Sequence, residues 1–409
     1  MPSLSEKLKL LGVKTGAKDL PVPQRKVSYP IESVIDGIFY KTPVGETFVV
    51  ETEYSLESNG EEFRLNQPSS MLSIAAWLGN PDLLSLDIED FIFLDTETSG
   101  LAGGTGTYVF LVGIGRFIQS TFHLQQFFLR DPIEEPGYLL ALLSSFGTSK
   151  GLVTFNGKTF DVPLLRTRFI INSEVSPFEG MIHIDLLPLA RRLWRDRLPS
   201  RTLGSLEQMI LGTNRTEEDI PGYLIPGLYF DFLRDGDARP LKNVFYHNSM
   251  DVVSMALLLN HIVEILKDPY NGLVEDGIDW IAIAKFFEDL NETDSAASYY
   301  AHGLSKNIPD HIRTEALYRW SYMEKRRQNF DIATQIWKEA THHNEIYAFI
   351  ELAKYYEHHL RDINEALQWT QMAISMLNTS DIRAVDTITL LDALQHRLAR
   401  LKRKLGTQQ

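Results

Sequence analysis

The chain has 409 residues, no cysteine and a formal net charge of −14, with 44% hydrophobic and 23% charged residues. This is the composition of a globular chain long enough for two or three domains. It excludes disulfides, thiolate metal sites and a cysteine nucleophile, and its acidity argues against binding nucleic acid through a globally basic surface.

The first residues, MPSLSEKLKLLGVKTGAK, lack the apolar core of a signal peptide, and no run reads as a membrane span. With no cysteine, this predicts a cytoplasmic chain with no membrane partner. Residues 1–85 read as an N-terminal extension with a short amphipathic turn, SLSEKLKLL. It holds β-like pieces in GIFYKTP and TFVVETEYSL, then short helices in PSSMLSIAAWLGNPDLLSLD.

Residues 86–268 read as one α/β domain. FIFLD, TYVFLVGIGRF and TFHLQQFFLR are strand-like runs in meander spacing. A helix near 136–147, a strand at 151–155, a helix at 160–169 and the strand MIHID follow. Then come the helix LLPLARRLW, a helix near 202–211, a Pro- and Gly-rich loop at 213–240 and a long helix at 241–266. Together they predict a mixed sheet flanked by helices.

Residues 276–405 read as an all-helical domain with an internal repeat. Ala284, Ser321 and Ala353 are followed three residues later by Phe287, Glu324 and Tyr356. Ala296, Ala333 and Ala366 come about a helix later, then Tyr300, Trp337 and either Trp369 or Thr370. The period is in the tetratricopeptide range, the third unit carries an extra residue, and a generic helical bundle is the plainer alternative. Such a repeat offers a groove for a peptide, a partner protein or RNA. The tail ends in Arg397, Arg400, Lys402, Arg403 and Lys404, read as a solvated helix end that suits the dipole.

The chemistry concentrates in three segments. In FIFLDTETSG an apolar strand ends in Asp95 and Glu97, and residues two apart on a strand share a side. Two carboxylates held together repel unless a cation or a proton intervenes, and oxygen donors favour magnesium or manganese. In TFNGKTFD, Asn156 and Gly157 form a turn and Asp161 opens a helix. In YHNSMDVVSM, His247 and Asp251 stand four apart on one helical face. Each segment alone has a bland reading: solvated strand-end acids, a helix-start acid, a surface pair. GLAGGTGTY lacks the Gly-Lys-Ser/Thr end of a phosphate loop and reads as a hairpin. ARRLWRDRLPSR carries the densest positive patch, with Arg191, Arg192 and Arg195 around Trp194, and can track a phosphate backbone or form a solvated helix face.

In order, Asp-x-Glu, Asn-x-x-x-Phe-Asp and His-x-x-x-Asp resemble the DEDD (DnaQ-like) 3′–5′ exonuclease superfamily on the ribonuclease-H-like fold. The segments GLAGGTGTYVFLVGIGRF, FFLRDP, TFNGKTFDVPLL, IDLLPLARRLWRDRL and HNSMDVVSM are similar to the bacterial YprB-type ribonuclease-H-like proteins, over roughly residues 85–265. The resemblance implies that Asp95, Glu97, Asp161 and Asp251 hold two magnesium or manganese ions per site. It implies that His247 is the base for hydrolysis at the 3′ end of a DNA or RNA strand. Two such ions typically sit about 3.5–4 Å apart. Here His lies four residues before the last Asp and Tyr246 lies five before it, a departure from both branches of the superfamily. Helical geometry favours His247, which shares the face of Asp251. Asn156 is a turn residue or a contact to the strand. The rival expectation is a catalytically weak or inactive scaffold that acts through its repeats.

Overall fold

The computed structural model describes residues 29–55, 67, 70–100, 106–119, 121–379 and 385–406. SLSEKLKLL and most of GLAGGTGTY lie outside these residues.

In chain order the strands are β1 (Ile38–Thr42), β2 (Gly45–Ser55), β3 (Phe91–Thr98), β4 (Val109–Ile118), β5 (Thr121–Phe128), β6 (Gly151–Thr154) and β7 (Ile182–Asp185). The helices begin with α1 (Leu72–Leu78), α2 (Glu135–Phe146), α3 (Asp161–Ile171), α4 (Leu186–Trp194), α5 (Leu203–Leu206), α6 (Ile225–Asp235) and α7 (Leu241–Lys267). They continue as α8 (Gly277–Asp289), α9 (Thr293–Leu304), α10 (Asp310–Arg326), α11 (Phe330–His342), α12 (Ile346–Tyr355), α13 (Ile363–Thr379) and α14 (Val385–Gly406). The chain divides into two compact units. The first takes the described residues of Met1–Asn66, Asp87–Asp185 and Gly212–Leu257, and the second those of Gln67–Leu86, Leu186–Leu211 and Leu258–Gln409. The sequence-based division ran instead at residues 85 and 268–276.

The first unit is built on one seven-stranded mixed sheet in the order β1-β2-β5-β4-β3-β6-β7. β3, β4 and β5 form an antiparallel meander, and β6 and β7 add in parallel on the β3 side. β2 joins the far edge by pairing along β5, so the β-like pieces of the N-terminal extension belong to the same sheet. Ile92 and Leu94 of β3 enter a core with Phe110, Val112 and Leu165, while Phe93 meets Phe117 and Phe122 edge-on. Asp95 and Glu97 continue the Phe91–Phe93 side.

Two features hold the helices around the site. Arg168 on α3 donates to both oxygens of Glu135 on α2 at 2.6 and 2.5 Å, and both residues are buried. Removing one partner strands the other charge, so Arg168→Ala is expected to lower the stability of this unit by about 3–5 kcal/mol, read by urea unfolding. The Pro- and Gly-rich loop expected at 213–240 contains a helix, α6. Its Tyr229 is buried, stacks on Phe110 at 4.0 Å and donates its hydroxyl to the Leu129 carbonyl at 2.9 Å.

α7 corrects the expectation that no segment has membrane-span character. It is long and apolar enough by length and composition, yet 61% of its most apolar window is buried within the protein. It is a core helix, and it carries His247, Asn248 and Asp251 into the site.

In the second unit α8 to α14 follow one another, with neighbours packed in sequence: α8 on α9, α10 on α11, α12 on α13 and α13 on α14. Ala284, Ser321, Ala353, Ala296, Ala333 and Ala366 are all buried, as are Tyr300, Trp337 and Thr370. The last slot is therefore Thr370 rather than Trp369. Left-handed residues Asn291, Gln328 and Arg361 close the first helix of each pair, with φ of 62°, 62° and 56°. The extra residue of the third unit lies in a π-helical turn, Tyr356–Leu360, which absorbs one residue more than an α turn. That turn buries Glu357, on which Arg397, Arg400 and Lys404 converge at 2.6, 2.7 and 2.8 Å. Those cations of the basic tail therefore pair with a buried carboxylate, while Arg400 and Lys404 stay partly exposed. The pairing holds the Glu357 carboxyl down at about 2, against the cost of its burial.

Candidate active site

β3 runs on through Thr98, so Asp95 and Glu97 lie within the strand, where they pair with Gly113 and Leu111 of β4. The register shifts between Glu97 and Thr98, an irregularity of the kind that re-aims side chains beside active sites. Both carboxylates are partly accessible. Asp161 is the first residue of α3, and its Oδ1 accepts a short hydrogen bond from the Thr96 hydroxyl. The strand thus holds the helix-borne acid through Thr96, the residue between Asp95 and Glu97.

α7 supplies the remaining groups. Gly113 allows its close approach: a Cβ there would stand 2.5 Å from Asn248 Oδ1 and 2.8 Å from Val252. Asn248 is fully buried, and its Nδ2 donates to Asp95 Oδ2 at 2.8 Å. Gln126 of β5 donates to Asn248 Oδ1 at 2.8 Å and also to the Phe245 carbonyl. This chain from β5 through α7 to β3 sets the Asp95 rotamer. Gly113→Ala is expected to push Asn248 off Asp95 and destabilise the unit by about 1–3 kcal/mol, checked by thermal melting.

His247 and Asp251 lie on the α7 face that meets β3. One ligand atom from each of Glu97, His247 and Asp251 lies within 4.8 Å of the others. His247 Nδ1 stands 2.7 Å from Asp219 Oδ1, and its Nε2 3.6 Å from Asp251 Oδ2. A carboxylate accepts, so Nδ1 carries a proton toward Asp219, while Nε2 faces Asp251. Tyr246, one turn position away, is occupied elsewhere: its hydroxyl accepts from the Thr216 amide at 3.0 Å.

The segment after α5 contributes two groups that sequence reading missed. Arg215 donates a short hydrogen bond to Asp251 Oδ1, with its other nitrogen 3.5 Å from Asp219 and 3.3 Å from His247 Nδ1. Asp219 orients the imidazole. Neither sits in a periodic segment, and no spacing tied them to the motifs. Asn248, a polar residue between two motif positions, gave no signal either.

The electrostatics follow from crowding. Burial, then Asp251 and Asp161, push the Asp95 carboxyl well above its usual range. Glu97 is raised by burial and by Asp95, Asp251 and Asp161. Asp161 is raised by burial to about 6, with the Thr96 hydrogen bond opposing. Three carboxyls whose ionisation is opposed, together with Asp251 and one imidazole, form a donor set that suits a divalent cation.

The sign of the pH effect is fixed by these shifts. A carboxyl raised from 3.8 to about 6 contributes stability that is full below about pH 4 and lost as pH rises through about 6. Chelated protein is therefore expected to lose on the order of 2 kcal/mol over that window relative to Asp161→Asn, measured by denaturant unfolding at each pH.

The other predicted residues are placed differently. Asn156 is a turn residue with φ of 69°, and its amide donates to Asp185 Oδ1 at 2.7 Å. Asp185 also accepts from the Lys158 amide, so it braces the loop leading to Asp161. Arg191, Arg192 and Arg195 lie on and just after α4 in the second unit. There Arg192 pairs with Asp289 at 2.5 Å and Arg195 with Asp196 at 3.3 Å, while Arg191 is exposed. Local carboxylates thus offset much of the positive patch.

Comparison with known proteins places this geometry. Residues 92–263 match the RNase_H superfamily, a superfamily that points to nuclease chemistry and a nucleic-acid substrate. The chain is 32% identical over 365 residues to the uncharacterized protein YprB of Bacillus subtilis (strain 168), covering 87% of this chain and 86% of that protein. Among solved structures, it is similar to a family B DNA polymerase from the hyperthermophilic archaeon Pyrobaculum calidifontis. The identity is 16% and the TM-score 0.32, over 49% of this chain and 29% of the polymerase, a likeness too distant to support any inference. The chain belongs to the YprB family, with an RNase H superfamily domain over residues 92–263.

Proposed function

We propose that the protein is a metal-dependent 3′–5′ exonuclease that removes nucleotides from single-stranded ends. The observation that supports this reading is that Glu97, His247 and Asp251 lie within reach of one ion, with Asp95 and Asp161 near enough to act on Glu97 and the imidazole oriented by Asp219. Two magnesium or manganese ions held by these carboxylates would supply Lewis-acid stabilisation of the reacting phosphate and acidify water. His247 Nε2 takes the proton of the attacking water, while Asp219 stabilises the imidazolium that forms. Asn248 and Thr96 hold Asp95 and Asp161 in place. Polarity is supported by the resemblance of the three motif segments, in order, to 3′–5′ exonucleases, and a single-stranded end by the need for the scissile nucleotide to enter a closed carboxylate site. The C-terminal helices are read as tetratricopeptide-like, with a groove for a protein partner.

A second reading is favoured by one observation. Arg215 on Asp251 lets the site rest without metal, as a weak or inactive nucleic-acid-binding scaffold would. The test is a gel assay on 5′-labelled single-stranded DNA and RNA with magnesium or manganese. A ladder shortening from the 3′ end is expected. Release of the labelled 5′ nucleotide, internal cuts or intact substrate would overturn the proposal.

A further inference from the structure

Arg215 is a cation set among the acids. Its side chain is only 12% exposed. It touches Asp251, Asp219 and His247, and its field acts on Asp95 and Glu97 as well. An arginine keeps its charge at any working pH, so it offsets the carboxylates permanently where it stands. A divalent ion bound to Asp251 would compete for the same oxygen. At about 4 Å and an effective dielectric near 20, each unit charge repels another by roughly 4 kcal/mol, so ion and guanidinium do not share that position.

The segment between Gly212 and the turn at Gly222–Leu224 has no helix or strand, and Thr216 is tied to Tyr246. A guanidinium displaced from Asp251 keeps Asp219 beside it and, when substrate is bound, gains a phosphate, which its fork can grip in two places.

We infer that Arg215 is the resident cation of Asp251 in the metal-free protein and turns to the nucleic-acid phosphate when a divalent ion takes Asp251. Metal and nucleotide binding are then coupled through one side chain, and the coupling is reciprocal. This rests on the metal-site reading above and adds a residue that the motif segments do not contain.

The test is calorimetric titration, first of manganese into the full chain, then of a nucleoside 5′-monophosphate into the manganese-loaded chain. Arg215→Ala is expected to bind manganese about fivefold more tightly or better, and the nucleotide more weakly by a similar factor, the lower end of typical coupling. Arg215→Lys keeps the charge but not the fork, and is expected to show both changes in smaller measure. Arg215→Met keeps the aliphatic stem and replaces the alanine variant if that fails to fold. Unchanged or weaker manganese binding in the alanine or methionine variant overturns the inference. So does a lysine variant identical to wild type in both titrations, since a background charge would then explain the effect. Wild type that binds no manganese overturns the metal-site reading together with the inference, whereas manganese binding indifferent to Arg215 overturns the inference alone.

Discussion

Asp95→Asn is expected to abolish hydrolysis, by at least a factor of about a thousand, while raising the melting temperature of the chelated protein. The two effects have one cause. Burial, Asp251 and Asp161 oppose the charge of Asp95. Asparagine keeps the shape and still accepts from Asn248, but it removes a charge that costs the empty site on the order of 1–3 kcal/mol. For a unit of this size that is a rise of several degrees. Wild type is expected to gain further stability with manganese, because the ion binds only the folded state, and the variant is not. A variant that melts lower without metal, or responds to manganese as wild type does, would show that the cluster is not a cation site.

His247→Ala is expected to slow hydrolysis by about 10²–10⁴ while leaving most of the manganese-dependent stabilisation in place. The imidazole lies at the edge of the cluster, 3.6 Å from Asp251 and held by Asp219 on its far side. It lies close enough to Glu97 and Asp251 to share an ion with them, so the loss of rate is expected to exceed the loss of manganese-dependent stabilisation. Asp219→Asn should fall between wild type and His247→Ala, since the ring loses its orienting acceptor but not its lone pair. Single-turnover rates at saturating manganese check both variants. Equal rates for His247→Ala and wild type would pass the base role to another group.

Much of this was readable along the chain, for physical reasons. Buried strands carry unbroken apolar runs, so FIFLD and its neighbours announced the sheet, and the two-residue spacing of Asp95 and Glu97 announced a shared side. The four-residue spacing of His247 and Asp251 did the same on α7. What failed was of another kind. α6 was hidden because Pro226 and Gly227 read as breakers, although proline at the first turn and Gly236 at the end, with φ of 69°, are start and stop signals. The edge on which β2 joins the sheet depends on pairing with β5, which no local pattern carries. Arg215 and Asp219 come from a segment without periodicity, and only the fold brings them to α7. The arginine-rich stretch showed its charge in the sequence but not the acids that Asp289 and Asp196 supply in space.

The central claim, that Asp95, Glu97, Asp161 and Asp251 exist to hold divalent cations, is tested most directly by anomalous diffraction from crystals grown with manganese and a nucleoside 5′-monophosphate. The account predicts two anomalous peaks among these four carboxylates. A map with no peak there, at manganese concentrations that saturate the thermal response, would contradict it.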